Sequence, residues 1–420
     1  MEQVFTITGG KPLKGKVRIS GSKNATLALI PAAVLANEPV RIFGIPKITD
    51  VAVLGKLLEE LNCDVEYVNG SELIIKPNDM INTPLVSDEV TKLRASYYFM
   101  GALLGKYKKV DIRMSGGCDL GPRPIDLHLK GFEALGATVT YTNNIYSLEA
   151  RELKGTKIFL DIASVGATIN IMMAAVYAKG RTSIDNAAKE PEIVDVANLL
   201  NKMGAKIRGA GTNYITIDGV DYLGGCCHEI IPDRIEAATY IIAAATAAED
   251  MTIENVIPLH LEALIAKLKE MNVNIEVGSD WVRVRSGKKT IATDIMTLTY
   301  PGLATDVQQP FSVLMTQAEG SSQIVETIYV ERFKQCHELI KLGADIELKQ
   351  GLCLINGQTK LIGCDVTATD LRGGVALVIA GLIAEGVTTV HEIYHVDRGY
   401  EGIDEKLRAL GADIKRTTKD

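Results

Sequence analysis

The sequence predicts an α/β protein of two domains, each a barrel turned inside out, with three βαβαββ units that enclose their helices and face their sheets to water. Three observations lead there. One helix-ending phrase recurs six times along 420 residues; the repeats carry one amphipathic and one wholly apolar helix; and strand-like stretches flank them. A chain of this length has room for more than one core, since domains usually run to about 100–200 residues.

The recurring phrase reads Leu61-Asn62-Cys63-Asp64-Val65, Leu135-Gly136-Ala137-Thr138-Val139, Met203-Gly204-Ala205-Lys206-Ile207, Met271-Asn272-Val273-Asn274-Ile275, Leu342-Gly343-Ala344-Asp345-Ile346 and Leu410-Gly411-Ala412-Asp413-Ile414. Its spacing of roughly 70 residues is longer than the usual solenoid units. Gly or Asn stands where a helix closes in a left-handed cap, and the apolar residue behind it opens a strand.

The first copy shows what a unit contains. Lys16 to Ser20 alternates as a strand, Lys23 to Ala36 reads as a helix, Val40 to Phe43 as a strand, Thr49 to Leu61 as a helix and Glu72 to Ile75 as a returning strand. The second helix sets Val51, Leu54, Leu57, Leu58 and Leu61 against Lys56, Glu59 and Glu60, so it covers a surface. The first is apolar nearly all round, as are its counterparts at 97–105, 167–178, 237–248, 310–317 and 373–384. A helix with no polar face must be buried on every side. Each is too short for the roughly 20 residues that span a bilayer, and each is followed by charges.

Composition narrows the function classes. Hydrophobic content of 47% with 23% charged residues predicts a chain folded throughout. The net charge of −7 argues against a nucleic-acid surface, which needs a basic field. Met1-Glu2-Gln3-Val4-Phe5 has neither the basic nor the apolar part of a signal peptide. Seven cysteines without framework spacing fit a reducing cytoplasm. Cys226-Cys227-His228 lacks metal-ligand spacing, and Cys63, Cys336, Cys353 and Cys364 read as packing.

Chemistry concentrates in two places. The first is the loop Ser115-Gly116-Gly117-Cys118-Asp119-Leu120-Gly121-Pro122-Arg123-Pro124-Ile125-Asp126-Leu127-His128, which puts a thiol between glycines and then opens a helix at Arg-Pro. Glycines permit a closing lid, proline suits a first helical position, and a helix start beside Arg123 suits an anion. A thiol on such a loop, close to a cation, is exposed and activated rather than inert.

The second is the set of buried-helix starts: Lys23-Asn24, Arg94, Ser164 with Gly166, Asp233-Arg234, Asp306, and Asp370 with Arg372. Capping accounts for Ser164 and the aspartates. It does not account for Lys23, Arg94 or Arg372, because a cation there is opposed by the helix dipole. Their repeated placement predicts that these ends converge on an anionic ligand between the domains. Arg123 and Arg398 hold equivalent places ahead of amphipathic helices, with Arg332 close to the matching place in another unit. Of the histidines, His128 and His395 lie in candidate loops, while His228, His260, His337 and His391 show no partner pattern.

Taken in order, these residues resemble the UDP-N-acetylglucosamine enolpyruvyl transferase family, in the style of low-GC Gram-positive bacteria. The phrases that carry the resemblance are Ile19-Ser20-Gly21-Ser22-Lys23-Asn24, Leu93-Arg94-Ala95-Ser96, Gly116-Gly117-Cys118 through Leu127-His128, Ser164-Val165-Gly166-Ala167-Thr168, Glu190-Pro191-Glu192-Ile193-Val194-Asp195, Pro232-Asp233-Arg234-Ile235-Glu236, Thr305-Asp306, Ala368-Thr369-Asp370-Leu371-Arg372 and Asp397-Arg398-Gly399-Tyr400. They span essentially the whole chain.

The resemblance implies the enolpyruvyl transferase fold. It places 23–231 in one domain with the Cys118 lid, 1–22 plus 232–420 in the other, and the active site in the cleft between them. It implies transfer of the enolpyruvyl group of phosphoenolpyruvate to the 3′-hydroxyl of UDP-N-acetylglucosamine with release of phosphate, in peptidoglycan synthesis. No metal or organic cofactor, nucleic acid, membrane or obligate protein partner is implied. Cys118 would protonate C3 or capture phosphoenolpyruvate, and fosfomycin would alkylate it; Asp306 would take the hydroxyl proton. Lys23, Arg123 and Arg398 would clamp the phosphate and carboxylate, with Arg332, Asp370 and Arg372 nearby. Asn24, Arg94, Arg123, Pro124, Ile125, Asp126, Leu127, Ser164, Val165, Gly166 and Ile328 would hold the nucleotide sugar.

Three departures touch that sugar site: Val330-Glu331-Arg332-Phe333 where members often read Glu-Asn-Arg-Phe, Leu303-Ala304-Thr305-Asp306 in place of Phe-Pro-Thr-Asp, and Ile162 where some carry lysine. The runner-up is 5-enolpyruvylshikimate-3-phosphate synthase, whose lid lacks the Gly-Gly-Cys loop. A silent nucleotide-sugar sensor is the alternative of another class, and it would have lost the acid or the base.

Overall fold

The computed structural model describes residues 2–114 and 125–419. Cys118, Arg123 and Pro124 lie outside the described residues. The chain divides into two compact units: Gly21–Ile231, and Met1–Ser20 together with Pro232–Asp420. The division after Ser20 comes two residues ahead of the 22/23 boundary expected from the sequence. Each unit has its own apolar core.

In Gly21–Ile231 one sheet runs Cys226–Glu229, Val40–Phe43, Glu72–Lys76, Asp64–Val68, its first pair parallel and the others antiparallel. Another runs Lys157–Phe159, Arg181–Asp185, Tyr214–Asp218, Lys206–Arg208 with the same pattern. The third has Lys109–Arg113, Ile145–Glu149 and Thr138–Thr142; its parallel member shrinks to one bridge between Leu85 and Ile112. Pro84, next to that bridge, has no N–H with which to extend a ladder.

The other unit holds three four-stranded sheets, and two of its strands arrive from elsewhere in the sequence. Leu13–Arg18 leads toward the helix Lys23–Ala33 yet pairs in parallel with Ala248–Glu254. Cys226–Glu229 leads toward Arg234–Ala247 yet pairs with Val40–Phe43, so the two units have exchanged opening strands. Glu2–Thr8 lies between Val387–His391 and Asp413–Lys419, antiparallel to both. The strand expected at 16–20 is Leu13–Arg18; beyond it the Ser20 N–H leaves the ladder and donates to the Glu236 carboxylate at 2.8 Å.

The six recurring phrases are six copies of one cap. Asn62, Gly136, Gly204, Asn272, Gly343 and Gly411 all have positive φ, between 53° and 111°. The next N–H reaches back five residues each time, as Cys63 to Leu58 O, Ala137 to Phe132 O, Ala205 to Leu200 O, Val273 to Leu268 O, Ala344 to Leu339 O and Ala412 to Leu407 O. This is the Schellman closure, and it needs a residue that tolerates the left-handed region.

The apolar helices are buried as their composition requires. In Lys23–Ala33 only Asn24 escapes burial, and in Val165–Ala175 only Val165 does. The helices Lys23–Ala33, Tyr98–Tyr107 and Val165–Ala175 pack in sequence against one another, and Arg234–Ala247, Thr305–Gln317 and Leu371–Ile383 do so in the other unit. The fifth begins at Thr305 rather than Pro310, which lies inside it. That difference carries Asp306 into its first turn. No helix among the described residues is long and apolar enough to cross a membrane.

Candidate functional site

In the unit that includes Pro232–Asp420, one carboxylate joins two buried guanidinium groups. Asp306, near the start of Thr305–Gln317, accepts from Arg332 Nη1 on Oδ1 at 2.6 Å. Its Oδ2 faces Arg372 Nε at 3.3 Å and Nη2 at 3.2 Å. The arginine side chains are 5% and 3% exposed and the aspartate 26%, so the carboxylate is the open side of the cluster.

Surrounding groups fix this geometry. Arg332 Nη1 also donates to Thr305 Oγ1 at 3.1 Å, and that hydroxyl donates to Glu326 Oε2 at 2.9 Å. Asp370 caps Leu371–Ile383 by accepting from the N–H groups of Arg372 and Gly373, both at 3.0 Å, and takes Gln309 Nε2 at 3.2 Å. The Tyr400 ring lies 5.2 Å from the Arg372 guanidinium carbon, and its hydroxyl meets Thr239 Oγ1 at 2.8 Å. Burial works against the charge of Arg372, but Tyr400, Asp306 and Asp233 together outweigh it and raise its pKa. Arg332 Nε and Arg372 Nη1 are buried without a hydrogen-bond partner among the described residues. An unmet buried N–H of this kind costs about 1–3 kcal/mol, more when charged, until an acceptor arrives.

Arg398 follows the short helix Tyr394–Asp397 and precedes Ile403–Ala409, half-buried, while its neighbour Asp397 is held by Arg416 at 2.7 and 2.8 Å. Ile328 is about a third exposed, and its N–H donates to Glu326 Oε1 at 2.9 Å.

The unit Gly21–Ile231 builds its part on other helix starts. Ser22 caps Lys23–Ala33 by accepting from Ala25 N at 3.2 Å. Lys23 Nζ stands 2.8 Å from Asp50 Oδ2, with side-chain exposures of 8% and 4%. Asp50 lies in the first turn of Thr49–Glu60, where the dipole favours an acid. The sequence predicts an external anion for cations at helix starts; among the described residues Lys23 and Arg372 meet the internal carboxylates Asp50 and Asp306. Asn24 beside the lysine is half-buried.

Arg94 opens the 3-10 turn Arg94–Tyr97 rather than the buried helix, which starts at Tyr98. Ile125 is buried, Asp126 exposed and Leu127 half-buried at the head of Asp126–Ala134. Ser164 accepts from Ala167 N at 3.3 Å, and Val165 and Gly166 follow as the first helical residues. A Cβ on Gly166 would stand 2.9 Å from both His128 Cε1 and Tyr97 Oη, so any side chain here would have to displace the ring or the hydroxyl. Burial, helped by the charge of Arg94, pushes the His128 imidazole down to about 3.

The structure therefore gathers Asp306, Arg332 and Arg372 with Asp370 in one unit, and Arg94 with Gly166 around His128 in the other. Sequence reasoning missed Asp50, which looks like any first-turn acid, and Asn170, a polar residue inside an otherwise apolar helix and thus a readable signal. It also gave His228 and His391 no partner. His228 Nε2 meets Asp195 at 2.8 Å and His391 reaches Glu2 at 3.2 Å, both pairings remote in sequence. A shallow cavity of about 530 Å³ lies against Asp195, Lys202 and His228, none of them an expected site residue. Among the described residues no three His, Cys, Asp or Glu side chains gather to hold a metal ion.

A family model described as EPSP synthase (3-phosphoshikimate 1-carboxyvinyltransferase) matches residues 7–407. A protein of Geobacillus kaustophilus named UDP-N-acetylglucosamine 1-carboxyvinyltransferase 2 is 54% identical over 410 residues, covering 98% of this chain and 96% of its own. One of the same name from Listeria monocytogenes is 55% identical over 418 residues, with coverage of 100% and 99%. Among solved structures, the enolpyruvyl transferase NikO from Streptomyces tendae superposes with a TM-score of 0.91 at 26% identity, both chains fully covered. EPSP synthase from Acinetobacter baumannii gives 0.78 at 20% identity, again over both chains, which speaks for the fold alone.

Proposed function

From the premise that the chain belongs to the 1-carboxyvinyltransferase family, we propose that it transfers the enolpyruvyl group of phosphoenolpyruvate to the 3′-hydroxyl of UDP-N-acetylglucosamine and releases phosphate. The supporting observation is the Asp306 carboxylate held between Arg332 and Arg372, two nearly inaccessible guanidiniums that each keep one nitrogen without an acceptor among the described residues.

That arrangement fits the demands of the reaction. Addition of a hydroxyl to C2 of an enol phosphate needs a proton on C3, a base for the hydroxyl and cations for two anionic groups. In the resting site the guanidiniums occupy the Asp306 lone pairs that a base must offer. Transfer of the donors that hold Asp306, Arg332 Nη1 and Arg372 Nε and Nη2, to the phosphate or carboxylate of phosphoenolpyruvate would free the carboxylate to take the hydroxyl proton. Lys23 would make the matching exchange, from Asp50 to substrate, and Arg398 would add a further cation.

Cys118 and Arg123 complete the reading from their residue types and family positions, as the C3 acid and a phosphate clamp. Elimination of phosphate from the adduct then returns the enol ether. Asn24, Arg94, Pro124, Ile125, Asp126, Leu127, Ser164, Val165, Gly166 and Ile328 would hold the nucleotide sugar, while Asp370 supports Arg372. We place the reaction in the cytoplasm, acting on two small molecules with no obligate protein partner.

The test is phosphate release from phosphoenolpyruvate with UDP-N-acetylglucosamine, and separately with shikimate 3-phosphate. Release with the nucleotide sugar alone is expected. Release with shikimate 3-phosphate would assign the chain to the other branch of the family. Silence with both, in protein that still binds the nucleotide sugar, would leave a sensor.

A further inference from the structure

Asn170 is the clearest polar intrusion into the apolar interior of Gly21–Ile231. It lies midway along Val165–Ala175, buried, with its carbonyl Oδ1 accepting from Gly101 N at 2.9 Å and its Nδ2 donating to Tyr97 O at 3.1 Å. A backbone donor on one side and a backbone acceptor on the other leave one orientation for the amide. The same Nδ2 lies 2.8 Å from His128 Nδ1. An amide NH₂ only donates, so His128 Nδ1 must be the bare, accepting nitrogen and the ring proton must be on Nε2.

Further groups enclose the ring. Tyr97 meets it edge-on at 4.9 Å between centroids, and Gly166 lies against the Cε1–Nε2 side, where an added Cβ would be 3.1 Å from Nε2. Arg94 is the charge that acts on it, and it repels a second proton. On the ring's own helix Asp126 is exposed and Lys130 is committed to Asp161 at 2.7 Å. The tautomer and the neutral state are thus built in by hydrogen bonding as well as by burial.

We propose that His128 is a positioning residue of the nucleotide-sugar site, locked by Asn170 as a neutral Nε2–H donor beside Arg94 and the Ser164–Gly166 helix start. The inference rests on the function proposed above and adds a residue to it. A sugar diphosphate diester carries a fixed charge across the physiological range. A site that recognises it with a permanently charged arginine and a permanently neutral histidine holds it equally well at any pH there, which an ordinary imidazole titrating near 6.5 would not.

The experiment compares wild type with Asn170→Asp and His128→Gln, measuring affinity for UDP-N-acetylglucosamine by calorimetry between about pH 5.5 and 8.5, and the ring tautomer by ¹⁵N NMR. A carboxylate at position 170 still accepts from Gly101 but turns His128 Nδ1 into a donor and raises the imidazole pKa. Below that pKa both nitrogens carry protons and binding is kept. Above it Nε2 is bare, so the affinity of Asn170→Asp is expected to fall about tenfold as pH rises, while wild type stays flat. His128→Gln, whose amide can present a neutral donor, should bind within about threefold of wild type, whereas His128→Ala should weaken binding about tenfold.

A wild-type ring that titrates in this range, or a protonated Nδ1, would overturn the proposal. So would an Asn170→Asp variant with flat, undiminished affinity. Failure of the wild type to bind the nucleotide sugar at all would instead fell the function proposed above, with the tautomer still readable.

Discussion

Replacing Asp50 by Asn should weaken the protein without weakening its grip on phosphoenolpyruvate. Lys23 and Asp50 form a pair that is more than nine-tenths buried on both sides. Removing one partner of such a pair usually costs about 3–5 kcal/mol, because the remaining charge is left desolvated. Asparagine keeps an oxygen for the ammonium, which reduces the loss to ~2–3 kcal/mol on the same scale. Loss of an acid from the first turn of Thr49–Glu60 adds roughly 0.3–1 kcal/mol.

A total of about 3 kcal/mol corresponds to a fall of roughly 6–12 °C in Tm for a unit of this size. Because Asp50 competes with substrate for Lys23, the KM for phosphoenolpyruvate should be unchanged or lower. Millimolar phosphate should restore more of the lost Tm in the variant than it adds to wild type. Calorimetric melts with and without phosphate, beside steady-state phosphate release, measure all three. A Tm within about 2 °C of wild type would refute the burial argument. A tenfold rise in KM at normal stability would mean that Asp50 positions Lys23 for substrate rather than standing in for it.

Arg372→Lys should lower kcat/KM for phosphoenolpyruvate about a hundredfold, since an ammonium supplies neither the fork that spans Asp306 nor the face that covers Tyr400; initial rates test this. Gly166→Ala should raise the KM for UDP-N-acetylglucosamine about tenfold with kcat within threefold, because the added methyl presses on His128 and Tyr97; a KM that stays put would show that the helix start relaxes freely. Acid unfolding should begin earlier than carboxylate titration predicts: the unfolded chain binds a proton at His128 near pH 6.5, the folded one only at about 3, so stability falls as pH drops through that window, on the order of 5 kcal/mol in full. His128→Gln should flatten that limb in urea titrations taken at successive pH values. Fosfomycin should add its mass once to the intact protein and not to Cys118→Ala; an adduct that survives the substitution would point to another thiol.

Local chemistry made the repeats legible. A left-handed cap demands Gly or Asn, and all six positions carry one, so the phrase can be read without knowing the fold. A helix without a polar face announces its burial, as Val165–Ala175 does. Partnership between strands is different: Leu13–Arg18 shows which residues share a face, but nothing in it names Ala248–Glu254 as its neighbour. The same limit hid the counter-ions. Lys23 is a cation in an unfavourable place, whereas Asp50 is an acid in a favourable one and carries no local signal. Arg332 and Arg372 could be nominated singly, but their meeting on Asp306 depends on two further helices and a turn.

Those internal pairs follow from burying cations in advance of their ligand. A guanidinium or ammonium taken out of water must have a negative partner, or the fold loses several kcal/mol per charge. Lys23 and Arg372 lie at helix starts, where the dipole repels them further, so a resting protein without Asp50 and Asp306 would be destabilised at both places. The carboxylates solve this and set a condition on binding, because a substrate anion must displace them. Two of the displaced or shared contacts converge on Asp306, the one member that is partly open. Anion binding and the release of a carboxylate lone pair then become one event, and the proton acceptor is exposed only when the enol phosphate is in place. On this argument Asp306→Asn should leave phosphoenolpyruvate binding intact or tighter while lowering kcat about a hundred- to a thousandfold, and a variant that lost binding and turnover together would break the link.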